Sequence, residues 1–177
     1  ADRFGFSASA PGFDLQKIVA RSREVVAKLN KGIEFLFKKN NIEYRIGHAT
    51  IRMPGKISVV PPDSKTPGGD ISADKILIAV GAKPRLLPGI RPDGRKILTS
   101  KEALMVQTPP EHLAVLGAGA IGMEFAYFFH TFGAKITVIE LLDRVLPQED
   151  PEISDRIRKI YEKKGMTFLT GTRVNGL

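Results

Sequence analysis

The part of the sequence best suited to chemistry is a glycine-rich run between an apolar segment and a stretch of helical periodicity. The run consists of Gly117, Ala118, Gly119, Ala120, Ile121 and Gly122. At a turn from strand to helix, Gly117 permits the sharp bend, Gly119 leaves room for a pyrophosphate, and Gly122 lets the helix lie close to the sheet. Free amides at the start of the helix then meet the phosphate charge. The run therefore predicts a dinucleotide-binding turn.

An acid at the end of the next predicted strand indicates which dinucleotide is bound. Glu140 lies about 20 positions after the first glycine, where a carboxylate accepts hydrogen bonds from ribose hydroxyls. It would also repel a 2′-phosphate, and neither Leu141 nor Leu142 supplies a compensating cation, although Arg144 stands nearby. We predict NAD in preference to NADP. The alternative is an ordinary tight turn, but the preceding strand, following helix, second strand and terminal acid favour the nucleotide site.

Glu124, two residues after the last glycine of the run, admits two interpretations. An acid in the first turns of a helix is typical of a solvated surface position favoured by the helix dipole. Its neighbours Met123 and Phe125 are apolar, which equally allows the side chain to face a cleft. The residues alone leave both interpretations open.

The residues around the glycine run predict a strand, a helix and a second strand. His112–Leu116 is the first strand, Gly133 ends the helix, and Lys135–Glu140 is the second strand. Spacings of three and four residues define one apolar face of the helix. That face is predicted to comprise Ile121, Phe125, Phe128 and Phe132.

A second helix and a third strand follow. Asp150-Pro151-Glu152 combine a cap, a first-turn proline and an acid near the positive end of the helix dipole. The helix is predicted to end at Gly165, before a strand beginning at Met166–Thr170. Its buried stripe is predicted to comprise Ile153, Ile157, Ile160 and Tyr161. This order predicts an α/β fold: half of a Rossmann-like, doubly wound nucleotide-binding domain.

The residue pattern in the first part of the chain predicts a helix followed by strands. Residues 14–40 carry apolar residues at a period near 3.6, which indicates one long helix capped by Asp14, or two helices joined near Gly32. From Ile42 onward the period changes to alternation. Pro54-Gly55 divides that segment, which predicts strands joined by a tight turn up to Val60.

A loop, a strand and a connector come next. Pro61–Gly69 contains three prolines and two glycines, which predicts an exposed loop. Lys75–Val80 is a continuous apolar run, as expected of a strand buried on both faces and ended by Gly81. The segment 83–92 is again rich in proline and glycine, so we place the main domain boundary there.

Composition excludes several classes of protein. The 177 residues include 42% hydrophobic and 26% charged side chains, the balance of a soluble globular protein. Cysteine is absent and the three histidines lie far apart, so we expect neither disulfides nor a metal site. The net charge of +8 is dispersed, which favours a solvated face over a nucleic-acid surface. No apolar run approaches the roughly 20 residues of a membrane span, and the amino terminus lacks the order of a secretion signal.

Four segments, in order along most of the chain, carry a resemblance to a known family. They are Lys75–Pro84, Leu87–Gly89, Gly117–Ala126 and Glu140–Pro147. They resemble the dihydrolipoamide dehydrogenases, a branch of the FAD-dependent pyridine nucleotide–disulfide oxidoreductases. Members of that family pass electrons from dihydrolipoamide through an active disulfide and flavin to NAD, and a further domain forms a homodimer.

The resemblance implies a domain organisation and two sets of cofactor contacts. Residues 1–81 would be the later part of an FAD domain with a β-meander, 82–110 a connector, and 111–177 the first half of an NAD domain. The implied NAD residues are Gly117, Ala118, Gly119, Ala120, Ile121, Gly122, Met123, Glu124, Glu140 and Val174. The implied FAD residues are Gly47, Ala49, Val80, Gly81 and Ala82. Glu124 matches an acid that the family keeps near the flavin and nicotinamide, which favours its functional interpretation.

The sequence also departs from the family pattern. Val80 replaces the usual threonine of an Ala-Thr-Gly motif. The family's FAD glycine fingerprint, redox cysteine pair and carboxy-terminal His and Glu are not in these residues. We therefore expect the chain to be an internal fragment that carries no catalytic residues. The parent enzyme is expected to be cytoplasmic, or to lie in the mitochondrial matrix, and to be a component of 2-oxoacid dehydrogenase complexes.

Three alternatives stay open. The parent could belong to another branch of the family, such as mercuric reductase or a soluble transhydrogenase. The chain could be a truncated nucleotide-binding module without catalysis. Nucleic-acid binding driven by net charge is the third, and it predicts steeply salt-dependent affinity for polyanions. The cysteine-bearing segment of the full gene would distinguish the first alternative from the predicted enzyme. The second predicts a start codon just before Ala1 and a stop after Leu177.

Overall fold

A computed structural model describes residues 12–63 and 67–176. They form two compact units. Arg23–Lys83 make up one, here called the meander unit, and the described residues on either side make up the other, the parallel-sheet unit. The helices are α1 (Leu15–Lys39), α2 (Ser100–Ala103), α3 (Ala120–Thr131) and α4 (Pro151–Lys163). The strands are β1 (His48–Met53), β2 (Lys56–Val60), β3 (Gly69–Ser72), β4 (His112–Leu116), β5 (Lys135–Ile139) and β6 (Thr167–Leu169).

Helix α1 is continuous, which decides between the one-helix and two-helix predictions. The predicted cap is confirmed, because the Asp14 carboxylate accepts the amide of Lys17 at 3.1 Å. Gly32 lies inside the helix without interrupting it. Leu15 and Val19 are buried.

The meander unit contains a three-stranded antiparallel sheet in the order β1-β2-β3. The predicted turn at Pro54-Gly55 is confirmed, with Met53 opposite Lys56. Strand β3 was not predicted, since its four residues follow a proline- and glycine-rich stretch that indicates only a loop. The part of that loop at 64–66 lies outside the described residues.

Two predictions of strands in the meander unit are wrong. Residues 42–47 are irregular, and the ring of Tyr44 packs 5.4 Å from that of Phe37 in α1 instead of joining a sheet. Lys75–Val80 forms no strand, and Leu77 is 90% exposed. A buried parallel strand needs neighbours on both edges. Among the described residues of this unit, the sheet consists of β1, β2 and β3 alone, and the apolar run pairs with none of them.

The parallel-sheet unit confirms the predicted alternation of strands and helices. Strand β5 lies between β4 and β6, and both pairings are parallel. This 3-2-1 order is that of the first half of a doubly wound nucleotide-binding fold. The core beneath the sheet includes Ile136 and Val138 of β5, both at most 1% exposed. The carboxyl ends of all three strands therefore meet at one edge, where such folds bind ligands.

The buried face of α3 differs from the prediction. Met123, Ala126 and Phe129 are buried, whereas Phe125, Phe128 and Phe132 are partly exposed and Ile121 lies mostly in solvent. The helix is apolar on nearly every side, so periodicity could not select the face. Close packing selects it instead, because glycine at position 122 and alanine at position 126 let this side approach the sheet.

The prediction of the buried face of α4 is partly wrong as well. Ile153 and Ile160 are exposed, Ile157 and Tyr161 are half-buried, and the polar Ser154 is the buried residue. Burial raises the pKa of the Tyr161 hydroxyl, and electrostatic repulsion from Tyr127 raises it further. The predicted cap is confirmed, since the Asp150 carboxylate accepts the amide of Glu152 at 2.8 Å.

The segment that precedes β4 is ordered by side-chain caps. The Asp93 carboxylate accepts the amides of Ile97, Arg95 and Lys96, and these bonds lower the Asp93 pKa to about 2. Thr99 and Glu102 form a reciprocal capping box at the start of α2. The hydrogen bonds from Thr99 lower the pKa of Glu102.

Across 12–63 and 67–176, no helix combines the length and apolarity that a bilayer crossing requires.

Candidate nucleotide-binding site

The turn between β4 and α3 lies at the carboxyl edge of the parallel sheet. Gly117 has φ +103°, a backbone conformation that L side chains rarely adopt. Its amide donates to the carbonyl of Ile139 at 2.8 Å, which extends the β4–β5 ladder one residue into the turn. The predicted role of this glycine in the sharp bend is confirmed.

The absence of a side chain has different consequences at Gly122 and at Gly119. A Cβ on Gly122 would lie 2.1 Å from the carbonyl oxygen of Gly117 and 3.2 Å from a methyl of Val115. Only glycine therefore allows α3 to start this close to β4. A Cβ on Gly119 would meet no atom within 4 Å. The space above that residue is open, as a pyrophosphate approaching the backbone would require.

The start of α3 offers amides for an anion. Gly119 is the N-cap, and no side chain caps the helix. The first intrahelical bond runs from the Met123 amide to the Gly119 carbonyl at 3.0 Å. The amides of the first turn thus have no partner within the helix, and they face the side where the dipole favours negative charge. A phosphate group fits this arrangement.

Glu140 lies directly beneath the turn. It is 9% exposed, and its two carboxylate oxygens accept the amides of Ala118 at 2.7 Å and Leu142 at 2.8 Å. The carboxylate therefore joins the glycine turn to the segment that follows β5. Each carboxylate oxygen can accept more than one hydrogen bond, so capacity for a ribose hydroxyl is left.

The residues after Glu140 provide no cation beside its carboxylate. Leu141 and Leu142 are exposed. The guanidinium of Arg144 is turned to the carbonyl of Pro147, to which Nη2 donates at 3.1 Å.

The two remaining NAD candidates occupy different positions. Glu124 is exposed on α3, one turn beyond the N-cap. Val174 is half-buried in the irregular segment after β6. That segment joins the site because the amide of Thr172 donates to the Glu140 carbonyl at 2.9 Å. The structure therefore gathers the glycine turn, Glu140 and the approach to Val174 at one edge.

The FAD candidates lie in two stretches of the meander unit. Gly47 directly precedes β1 and Ala49 lies within it, and a Cβ on Gly47 would lie 2.7 Å from the carbonyl oxygen of Val60. Close packing on β2 thus accounts for that glycine by itself. Val80, Gly81 and Ala82 are exposed in an irregular segment. Among the described residues, no backbone hydrogen bond joins the two stretches.

Two residues that the sequence analysis did not single out complete the site. Leu146 donates its amide to the carbonyl of Ala118 at 2.8 Å, and Ser154 donates its hydroxyl to the carbonyl of Leu146 at 3.1 Å. Leu146 lies within the family-like segment Glu140–Pro147, but nothing in the sequence of that segment or around Ser154 indicates these contacts, because they join residues that are distant along the chain. Among the described residues, no three His, Asp or Glu side chains form a group suited to a metal ion.

Comparison with known proteins gives the family. Residues 4–177 match the pyridine nucleotide-disulphide oxidoreductase family. The chain belongs to this family. A dihydrolipoyl dehydrogenase of Chlorobaculum parvum is 40% identical over 174 residues, covering 98% of this chain and 37% of the relative. One from Bacillus subtilis is 38% identical over 180 residues, covering 98% of this chain and 38% of the relative. The chain thus spans well under half the length of these curated relatives.

Solved structures share the fold. LpdA from Mycobacterium tuberculosis superposes with a TM-score of 0.86 at 27% identity, covering 99% of this chain and 38% of that one. The HOCl-induced flavoprotein disulfide reductase RclA from Escherichia coli gives a TM-score of 0.78 at 32% identity, over 93% of this chain and 37% of that one. The predicted family and Rossmann-like fold class are confirmed.

Proposed function

We propose that the parallel-sheet unit binds NAD at the β4–α3 turn. The observation that carries this is the combination of open space above Gly119, free first-turn amides and the buried carboxylate of Glu140. The pyrophosphate would lie on the amides of residues 119–121. The adenine ribose would donate its hydroxyls to Glu140, and Val174 would border the adenine. Met123 and Glu124, one turn further along α3, would lie toward the nicotinamide.

The preference for NAD over NADP follows from charge. A phosphate on the ribose would approach a carboxylate that already accepts two backbone amides. The chain places no Lys or Arg in the two positions after Glu140. Arg144, the next candidate, already donates to Pro147.

For the meander unit we propose a contribution to an FAD site. Gly47 and Ala49 would place their backbone near the adenine, and Val80, Gly81 and Ala82 would border the flavin nucleotide. The exposed, irregular segment at 80–82 offers unpaired backbone groups for such contacts. Residues 1–81, 82–110 and 111–177 are accordingly proposed as the later FAD domain, a connector and the first half of the NAD domain.

The parent activity that fits these sites best is that of a dihydrolipoyl dehydrogenase, the name borne by several of the relatives. Such an enzyme oxidises dihydrolipoamide by way of a disulfide and FAD, with NAD as the final acceptor. This chain would hold the dinucleotides, while the thiol chemistry would be performed by residues outside it, since it contains no cysteine. A cytoplasmic homodimer serving 2-oxoacid dehydrogenase complexes is the corresponding setting.

Substitution of Gly119 tests the NAD site without disturbing the fold. Gly119→Ala adds a methyl group that touches no protein atom, at a φ of −72° that alanine adopts freely. We expect the stability of the chain to change by no more than about 0.5 kcal/mol. The affinity for NADH should fall about ten-fold or more, because the methyl group occupies the approach of the pyrophosphate.

NADH fluorescence titration measures this effect, with thermal melts in parallel. Gly32→Ala is the matched control: that glycine also has open space around its Cβ position, but it lies within α1, in the meander unit. The control should leave NADH affinity unchanged. Equal affinities of the wild type and Gly119→Ala would contradict the proposed placement of the pyrophosphate.

A further inference from the structure

Ala118, in the middle of the glycine turn, is held on both sides by the segment that follows β5. Its amide donates to the Glu140 carboxylate at 2.7 Å, and its carbonyl accepts the amide of Leu146 at 2.8 Å. The residue is completely buried. The position of the adjoining N-cap, Gly119, therefore depends on where Leu146 lies.

Leu146 has a backbone conformation that needs support. Its φ is +45°, in the left-handed region that leucine rarely occupies. Residues in such conformations persist only where their surroundings over-determine them, and they cluster at functional sites. On its amino-terminal side, Val145 is 1% exposed and fixes the chain in the core.

Ser154 supplies support from α4. Its side chain is 1% exposed, and its hydroxyl donates to the Leu146 carbonyl at 3.1 Å. Serine within a helix ordinarily bonds to a carbonyl of its own preceding turn. Here the hydroxyl bonds eight residues back, to the loop. The Leu146 carbonyl also accepts the Glu149 amide at 2.9 Å, so both backbone groups of Leu146 are engaged.

We propose that Ser154 is a positioning residue for dinucleotide binding. Its hydroxyl holds Leu146 in the left-handed conformation, Leu146 holds the carbonyl of Ala118, and the turn is thereby fixed with its amides ready for the pyrophosphate. Ser154 itself does not touch the nucleotide. The inference rests on the proposed function. It extends that function to α4, whose contribution to the site is otherwise only to cover the sheet.

The test compares three variants of the full chain. Ser154→Ala removes the hydroxyl. Ser154→Cys keeps a side chain of similar shape with only a weak donor. Ile136→Val is the control: this residue is fully buried near the amino end of β5, and the substitution weakens the core without touching the turn. Two quantities are measured below the melting temperature of every variant: hydrogen exchange at the Leu146 amide, and the NADH dissociation constant.

We expect Ser154→Ala to raise the NADH dissociation constant about five-fold, the size expected for one lost hydrogen bond. Exchange at the Leu146 amide should accelerate about ten-fold, since this amide reports opening of the turn. For Ser154→Cys, the NADH dissociation constant and the exchange rate at the Leu146 amide should lie between those of Ser154→Ala and the wild type. If Ser154→Ala does not fold, the comparison of Ser154→Cys with the wild type tests the proposal. Ile136→Val should lower the melting temperature and leave both quantities close to those of the wild type.

Other outcomes overturn the inference. A lower melting temperature with unchanged NADH affinity would make Ser154 a packing residue only. Unchanged exchange at Leu146 would show that the hydroxyl does not hold the loop. Wild-type protein that does not bind NADH would contradict the proposed function instead, and exchange at Leu146 would still decide whether Ser154 holds the turn.

Discussion

Gly122→Ala is expected to destabilise the parallel-sheet unit by about 3 kcal/mol, with loss of measurable NADH binding. The new methyl carbon would lie 2.1 Å from the carbonyl oxygen of Gly117, and that atom is backbone that cannot rotate away. The amide of Gly117 is also bonded to Ile139, so the strand end resists displacement. The helix must move instead, which carries its first-turn amides away from the phosphate position.

Chemical denaturation followed by circular dichroism measures this loss of stability. Gly119→Ala is the natural comparison, because it adds the same methyl group three residues earlier into open space. The two variants should separate stability from binding: Gly122→Ala loses both, and Gly119→Ala loses binding alone. An unchanged denaturation midpoint for Gly122→Ala would contradict the close packing of α3 on β4.

Glu140→Ala is expected to cost about 2–3 kcal/mol in the free energy of unfolding. The substitution leaves the amides of Ala118 and Leu142 without their acceptors, and Ala118 is too deeply buried for water to replace the carboxylate. NADH affinity should fall at least ten-fold for two reasons. The turn loses one of its two supports, and the ribose hydroxyls lose their acceptor.

Glu140→Gln separates these two contributions. The amide side chain keeps one oxygen acceptor but turns an N–H group towards the second backbone amide. We expect a loss of stability and of NADH affinity between those of the wild type and Glu140→Ala. Denaturation and NADH titration on the same preparations measure both. If Glu140→Ala binds NADH as tightly as the wild type, Glu140 stabilises the turn but does not bind the ribose.

The nucleotide turn could be predicted from sequence because its determinants are local. Gly117 and Gly122 are required by backbone geometry within six residues of chain, and the strand and helix on either side have clear periods. Capping residues were equally predictable. Asp14 and Asp150 each accept an amide within three residues, so the chemistry lies in the local sequence.

Burial was harder to predict because it depends on distant packing. In α3, periodicity favoured the face of Ile121, but the helix lies on the sheet through the face that includes Ala126. The apolar run at 75–80 has the composition of a buried strand, yet among the described residues it pairs with no strand of the meander unit, and apolarity alone does not specify a partner. The contact from Ser154 to Leu146 joins two elements through a single hydroxyl, which no periodicity reveals.

The most direct test of the nucleotide site is titration of the unmodified chain with NADH and, separately, with NADPH, followed by nucleotide fluorescence. We predict saturable binding of NADH and affinity for NADPH at least ten-fold weaker, because the 2′-phosphate would face the carboxylate of Glu140. No NADH binding by chain that circular dichroism shows to be folded would contradict the assignment. NADPH bound as tightly as NADH would contradict the role given to Glu140.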